Sequence, residues 1–212
     1  MELRDLRLHS YWRSSCSWRV RIGLALKGVA YRYVPVNLLE GQQLSDSYAV
    51  MSPLRQVPCL EWDGGRLTQS MAILRLLDAL PGPVLTPTDP VMGARAWELA
   101  EMVNAGIQPL QNLHFLKAIE AFGQDRAVWA REVISGGLRA MESVAGGSAG
   151  RFCVGDEPSV ADVCLVPQLY NARRFGVDLE PFPTLRRVEK ACIELPAFKA
   201  AHPDRQPDAP AV

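Results

Sequence analysis

The 212-residue sequence balances 23 Lys and Arg against 23 Asp and Glu, so its formal net charge is zero and nothing points to nucleic acid or an anionic membrane as partner. At 48% hydrophobic it can build one large core or two modest ones, yet no apolar run approaches a membrane span and the charged opening Met1–Asp5 does not read as a signal peptide. Five scattered cysteines without a C-x-x-C pair, and three isolated histidines, predict reduced thiols, a cytoplasmic setting and no metal. Along the chain, Leu6–Tyr11 alternates apolar and polar residues and predicts a strand. Ser14-Ser15-Cys16-Ser17 then opens a helix to Leu26, because a serine oxygen accepts from the free N–H groups of a first turn, and Gly28 closes it. Val20 and Leu24 share one face and Ile22 and Leu26 another, so this helix should be covered on several sides. Such a helix start also offers partial positive charge to a thiolate or other anion, although a plain cap and a small buried cysteine would look the same. Tyr31–Val36 is a second strand, placed at an edge by Pro35, which makes a βαβ unit with a right-handed crossover.

Residues 39–51 are polar and predict a loop with a short helix near Ser45–Val50. Pro58 stands at the entrance of an apolar strand, where a missing N–H needs a reason, and a cis Val57–Pro58 peptide supplies one. Asp63-Gly64-Gly65 is a hairpin turn, and Gln69-Ser70 opens a helix that carries Ile73, Leu74, Leu77 and Leu80. Proline and glycine break the chain over 82–88, and no convincing strand follows. Helices are predicted from Ala96 with a kink at Gly106–Pro109, over Ala127–Met141, from the capping box Ser159–Asp162 through Pro167 toward Phe175, over Pro183–Leu195 and over Ala197–Ala201. Gly146–Gly150 reads as a flexible loop and Pro203–Val212 as an extended surface strap. The fold class is α/β followed by all-α: one domain over 1–81, a linker over 82–88 and a helical domain over 89–212.

Several segments together resemble one family. The βαβ start, the X-Pro before a hairpin and the Gln-Ser helix start resemble the thioredoxin-like half of a cytosolic glutathione transferase. Ser14-Ser15-Cys16-Ser17-Trp18-Arg19-Val20-Arg21-Ile22 is similar to the S-S-C-x-W-R-V-R-I signature of the zeta class, and Gly106-Ile107-Gln108-Pro109-Leu110-Gln111-Asn112 to its G-I-Q-P-x-Q-N segment. Val154-Gly155-Asp156, Asp162–Gln168 and His202–Asp208 match in the same order, so the resemblance spans nearly the whole chain. It implies a homodimeric, glutathione-dependent cis–trans isomerase acting on maleylacetoacetate by reversible thiolate addition to the double bond. The resemblance also covers maleylpyruvate isomerases, general glutathione transferases acting on α-halo acids, and a non-catalytic glutathione-binding module.

The resemblance implies that Ser14 activates the glutathione sulfur, with Ser15 and Cys16 beside it, Cys16 being either a second contact or a site of inactivation. A hydroxyl that donates to S⁻ favours ionisation, whereas an ionised Cys16 would repel it. The implied glutathione contacts are Ser14, Ser15, Gln43, Val57, Gln69, Ser70 and Gln108. Val57 would pair through its backbone like an added strand, and Ser70 would hold a carboxylate at a helix N-terminus. For the acceptor dicarboxylate the candidates are Arg13, Asn112, His114 and Arg174, since an Arg fork suits a carboxylate. Arg19, Arg21 and Arg173 are read as solvated charges. Leu113 and His114 stand where maleylpyruvate-directed relatives can carry arginine, which tilts the reading toward maleylacetoacetate.

Overall fold

The structure is a computed structural model that describes residues 3–210; Met1, Glu2, Ala211 and Val212 lie outside the described residues. Strand β1 (Arg7–Ser10) pairs in parallel with β2 (Arg32–Pro35) and antiparallel with β3 (Cys59–Trp62), which pairs with β4 (Gly65–Thr68) in the order β2-β1-β3-β4. Pro35 thus lies on an edge strand, where its missing N–H costs no ladder bond. Helix α1 (Ser15–Leu26) is the crossover from β1 to β2, and Gly28 beyond it takes φ +65°. A one-turn 3₁₀ helix (Gln42–Leu44) precedes α2 (Asp46–Met51), and α3 (Ser70–Asp78) follows β4. Leu8, Val20, Leu24, Leu60, Ile73 and Leu74 are fully buried between sheet and helices. Gly23 lets α1 and α3 meet closely: a Cβ there would stand 2.5 Å from Leu74 Cδ2.

The second stretch is helical. Asp89 caps α4 (Pro90–Glu101), which runs into a π turn (Met102–Ile107) and a 3₁₀ turn (Gln108–Gln111) where the sequence predicted a kink. Helix α5 (Leu113–Ala121), not anticipated from sequence, starts at the Asn112 cap and is followed by α6 (Arg126–Ala145), α7 (Val160–Arg174) and α8 (Pro183–Glu194). The capping box is present: Ser159 N–H and Oγ–H donate to Asp162 Oδ2 at 2.8 and 2.9 Å. Among the described residues, no helix is long and apolar enough to cross a membrane.

The chain forms two compact units, one of residues 1–85 with 196–212 and one of residues 86–195. The expected boundary instead put 196–212 with the helical domain. Helix α9 (Pro196–Ala201) packs on α1, because the buried Arg21 donates Nε–H to Ala201 O at 3.2 Å. Nor is the following segment an extended strap. Pro203–Arg205 is a 3₁₀ turn, and Gln206 folds back to donate to Ala200 O and His202 O at 3.1 and 2.8 Å. Asp208 then accepts from Trp12 N–H and the Tyr33 hydroxyl.

Arg19 and Arg21 are corrected as well. They are 0% and 1% exposed rather than solvated, because α1 is covered on nearly every side. Arg173 is half-exposed and forms a two-bond pair with Glu189.

Candidate active site

Ser14 is the N-cap of α1, with extended backbone at φ −65° and ψ 117°. Its Oγ accepts from Ser17 N–H at 3.2 Å, which leaves the hydroxyl proton for another acceptor. Ser15 is buried, while Ser14 and Cys16 are half-buried. The first turn also carries free N–H groups and the positive end of the helix dipole. A sulfur anion placed there would meet a hydroxyl donor and a favourable field. Cys59, Cys153, Cys164 and Cys192 are buried free thiols. Burial pushes Cys59 up to about 11 and raises Cys153 and Cys192 further, so these three stay protonated at neutral pH.

Within the first unit, tertiary contacts join the segments that carry the other candidates. Tyr11, Val36, Tyr48 and Val57 form a buried cluster with Trp12 packed against it, so the loop ahead of Ser14 rests on Val57. The Val57–Pro58 peptide is cis, as the sequence predicted. Arg19 Nη1 donates to Ser70 Oγ at 3.4 Å, tying the buried first residue of α3 to α1. Gln69, ahead of it, holds φ +71°, a conformation that non-glycine residues seldom keep without a functional reason. Gln43 is half-buried, and its Oε1 is buried without a partner among the described residues. Arg13 is half-buried with its guanidinium 5.4 Å from the centre of the Trp12 ring.

The remaining candidates lie in the second unit. Gln108 starts the 3₁₀ turn, Asn112 caps α5 by accepting from His114 N–H at 3.3 Å, and His114 is exposed. This group is locked in place from several sides. Gln111 and Gln168 exchange amide hydrogen bonds at 2.6 and 3.3 Å, which joins the turn to α7. Trp129 Nε1 donates to Leu110 O at 3.0 Å. Gly137 makes room for Ile107, whose Cγ1 lies 2.3 Å from where a Cβ would be. Arg174 is exposed at the end of α7, with its guanidinium 5.2 Å from the Phe175 ring centre. Gln108, Asn112 and His114 thus lie on the continuous stretch from the 3₁₀ turn into the start of α5, while Arg174 stands at the end of α7.

The sequence reading took Arg21 for a solvated charge and did not foresee that Arg21 and Asp208 hold the backbone of Trp12, next to the candidate site. The available signal was two charges inside an otherwise apolar helix, Trp18-Arg19-Val20-Arg21-Ile22, which a helix covered on all sides must bury.

Known proteins resemble this chain along both units. The family described as glutathione S-transferase, N-terminal domain, matches residues 4–79, and the C-terminal domain family matches residues 99–203. The maleylacetoacetate isomerase of Rattus norvegicus is 50% identical over 208 residues, covering 96% of this chain and 95% of the relative. Two crystal structures of maleylacetoacetate isomerase from Anaeromyxobacter dehalogenans 2CP-1 match with TM-score 0.89, covering 99% of this chain and 100% of theirs. One, at 53% identity, holds GSH in its active site; the other, at 52%, holds dicarboxyethyl glutathione and citrate. The holo structure of a bacterial zeta-class maleyl pyruvate isomerase matches with TM-score 0.93 at 40% identity, covering 96% of this chain and 100% of its own. Matched along both units by family and by relatives of this identity, the chain belongs to the glutathione S-transferase family, within its zeta class.

Proposed function

We propose that this protein is a glutathione-dependent cis–trans isomerase that converts maleylacetoacetate to fumarylacetoacetate, a step of tyrosine and phenylalanine breakdown, as a cytoplasmic homodimer. The observation that carries the reading is Ser14, whose oxygen is occupied by Ser17 N–H while its proton stays available at a helix N-terminus. The residues present fit glutathione: Gln43 Oε1 is a buried acceptor in want of a donor, Gln69 is held at positive φ, and Ser70 begins α3. Glutathione, when bound, supplies the sulfur that adds reversibly to the maleyl double bond so that the bond can turn.

The chain's own residues do the rest. Ser14 donates its hydroxyl proton toward the sulfur and, with the start of α1, lowers a thiol pKa that is about 8.5 in a free thiol. Ser15 and Cys16 border the same turn. Gln43, the Val57 backbone, Gln69, Ser70 and Gln108 bind and orient the tripeptide. Arg13 and Arg174, with Asn112 and His114, orient the carboxylate ends of the substrate. The half share of identity with a maleylacetoacetate isomerase supports the choice of substrate.

The test is an absorbance assay on maleylacetoacetate, maleylpyruvate and an α-halo acid, with and without glutathione, for the wild type and Ser14→Ala. Turnover should require glutathione and be fastest on maleylacetoacetate. Ser14→Ala should lose about tenfold or more, since a hydrogen bond to a charged group contributes roughly 1.5–3 kcal/mol. Faster turnover of maleylpyruvate or of the halo acid would reassign the substrate. Glutathione binding without any turnover would leave a binding module. Unchanged activity and thiol titration in Ser14→Ala would move the sulfur-activating role to Cys16.

A further inference from the structure

The loop that delivers Ser14 is gripped by two side chains, Arg21 from within α1 and Asp208 from the far end of the chain. Ser14 N–H donates to Tyr11 O at 3.0 Å, and Arg21 Nη1 donates to that same carbonyl at 3.4 Å. Arg21 also donates from Nη2 to Trp12 O at 2.8 Å, from Nη1 to Ser10 Oγ at 3.1 Å and from Nε to Ala201 O at 3.2 Å. The Trp12 N–H is taken by Asp208 Oδ2 at 3.0 Å, while Asp208 Oδ1 accepts the Tyr33 hydroxyl proton at 2.6 Å. Every one of these groups lies in the first unit.

Arg21 is 1% exposed, and its hydrogen bonds go to neutral oxygens rather than to a carboxylate. Burial is the dominant effect on this cation, and the Asp208 carboxylate acts on it through space without a hydrogen bond, so it is a poor device for stability alone. It is a good device for geometry, because the planar guanidinium aims its donors in fixed directions. Asp208 completes the grip from the other polar atom of Trp12.

We propose that Asp208 and Arg21 are positioning residues for the isomerisation: together they set the backbone of Tyr11 and Trp12, and through it the direction in which the Ser14 hydroxyl points. The proposal rests on the reading of Ser14 given above. Residues after α8 therefore take part in the chemistry without touching substrate.

Asp208 is the residue to test, because it is half-buried on a segment outside the sheet and the long helices. In Asp208→Ala without ligand, hydrogen exchange at the Trp12 amide should speed up. With glutathione bound, the pH at which thiolate absorbance appears should rise. Turnover should fall roughly tenfold, inside the up to about 10²-fold that a 1 Å misplacement can cost. Asp208→Asn keeps an acceptor for Trp12 N–H and should recover most of the loss. Tyr33→Phe leaves the Trp12 bond in place and should change the titration little.

In a Ser14→Ala background, Asp208→Ala should move the thiol titration no further, because its effect passes through the Ser14 hydroxyl. An equal shift in both backgrounds would overturn the proposal, as would faster amide exchange with an unmoved titration. If Ser14→Ala leaves the titration where it was, the reading of Ser14 fails. A shift in Ser14→Ala with none in Asp208→Ala removes the positioning role alone.

Discussion

Helices α1 and α7 are both buried along most of their length, and each carries an ionisable group into its core. They differ in how far its partners lie along the chain. Asp162 of α7 accepts from Ser159 N–H three residues away and from Cys153 N–H nine residues away, both at 2.8 Å. Arg21 of α1 donates to Ser10, Tyr11 and Trp12, nine to eleven residues away, and also to Ala201, 180 residues away. Full burial raises the Asp162 carboxyl, against the pull of these backbone and hydroxyl donors. Burial lowers the Arg21 guanidinium to about 10, which still leaves it charged at neutral pH. A charge satisfied at home makes its helix self-contained. One satisfied partly from afar, as Arg21 is through Ala201, ties its helix to another segment of chain.

The most severe way to break the comparison is Asp162→Ala. It leaves Cys153 N–H and Ser159 N–H buried without their acceptor, at about 1–3 kcal/mol each, and removes a cap contact of about 1 kcal/mol. Urea unfolding should show a loss of about 3–7 kcal/mol; a loss under about 1 kcal/mol would mean that α7 does not depend on its local partners.

Arg174→Ala tests the substrate-binding role proposed for the end of α7, as Ser14→Ala tests the role proposed for the start of α1. Isomerisation should fall roughly 10²–10³-fold, as for loss of a donor to developing charge, while glutathione affinity and conjugation of a neutral aromatic electrophile change little. Arg174→Lys should regain only part. A parallel fall of both activities would give Arg174 a structural role instead.

Arg21→Met sharpens the contrast from the α1 side. The carbonyls of Ala201 and Trp12 lose a donor, but a costly buried charge also disappears, so the net loss should be about 1–3 kcal/mol. Its distinctive sign should be faster proteolysis within residues 202–210, which Asp162→Ala should not produce on its own.

Gly23→Ala should have the smallest effect. Overpacking against Leu74 costs about 1–3 kcal/mol, offset by up to about 1 kcal/mol of helix propensity, so Tm should drop by a few degrees. An unchanged Tm would show that Leu74 can turn aside.

The same contrast explains what could be read before any coordinates. The βαβ start, the hairpin at Gly64, the cis Val57–Pro58 peptide and the capping box at Ser159 are all written in a few adjacent residues, and each is present. The Ser14 cap is legible for that reason too. The burial of Arg19 and Arg21 is signalled only indirectly, by their place in a helix that is apolar on several faces, and nothing near Arg21 in the sequence announces the Ala201 carbonyl it meets. The return of residues 196–210 to the first unit depends on Ala201 and Asp208 meeting partners that no local pattern announces. Helix α5 was missed because its nine residues are mostly exposed, with Leu116 alone buried, so it lacks the strong apolar stripe that marks a core helix. The orphaned Gln43 Oε1 and the π turn ahead of Gln108 are likewise properties of packing, not of composition.

The first unit is interrupted in the chain: residues 196–210 are synthesised only after the whole of the second. At ribosomal speeds of about 5–20 residues per second, that interval lasts roughly 5–25 seconds. Throughout it, neither Ala201 O nor Asp208 has been made, so Arg21 and Trp12 must take water in place of these partners. The second unit, unbroken in sequence, has no such wait. The unit that is begun first is therefore completed last, and the loop before Ser14 stays hydrated in a nascent chain until translation has passed Asp208.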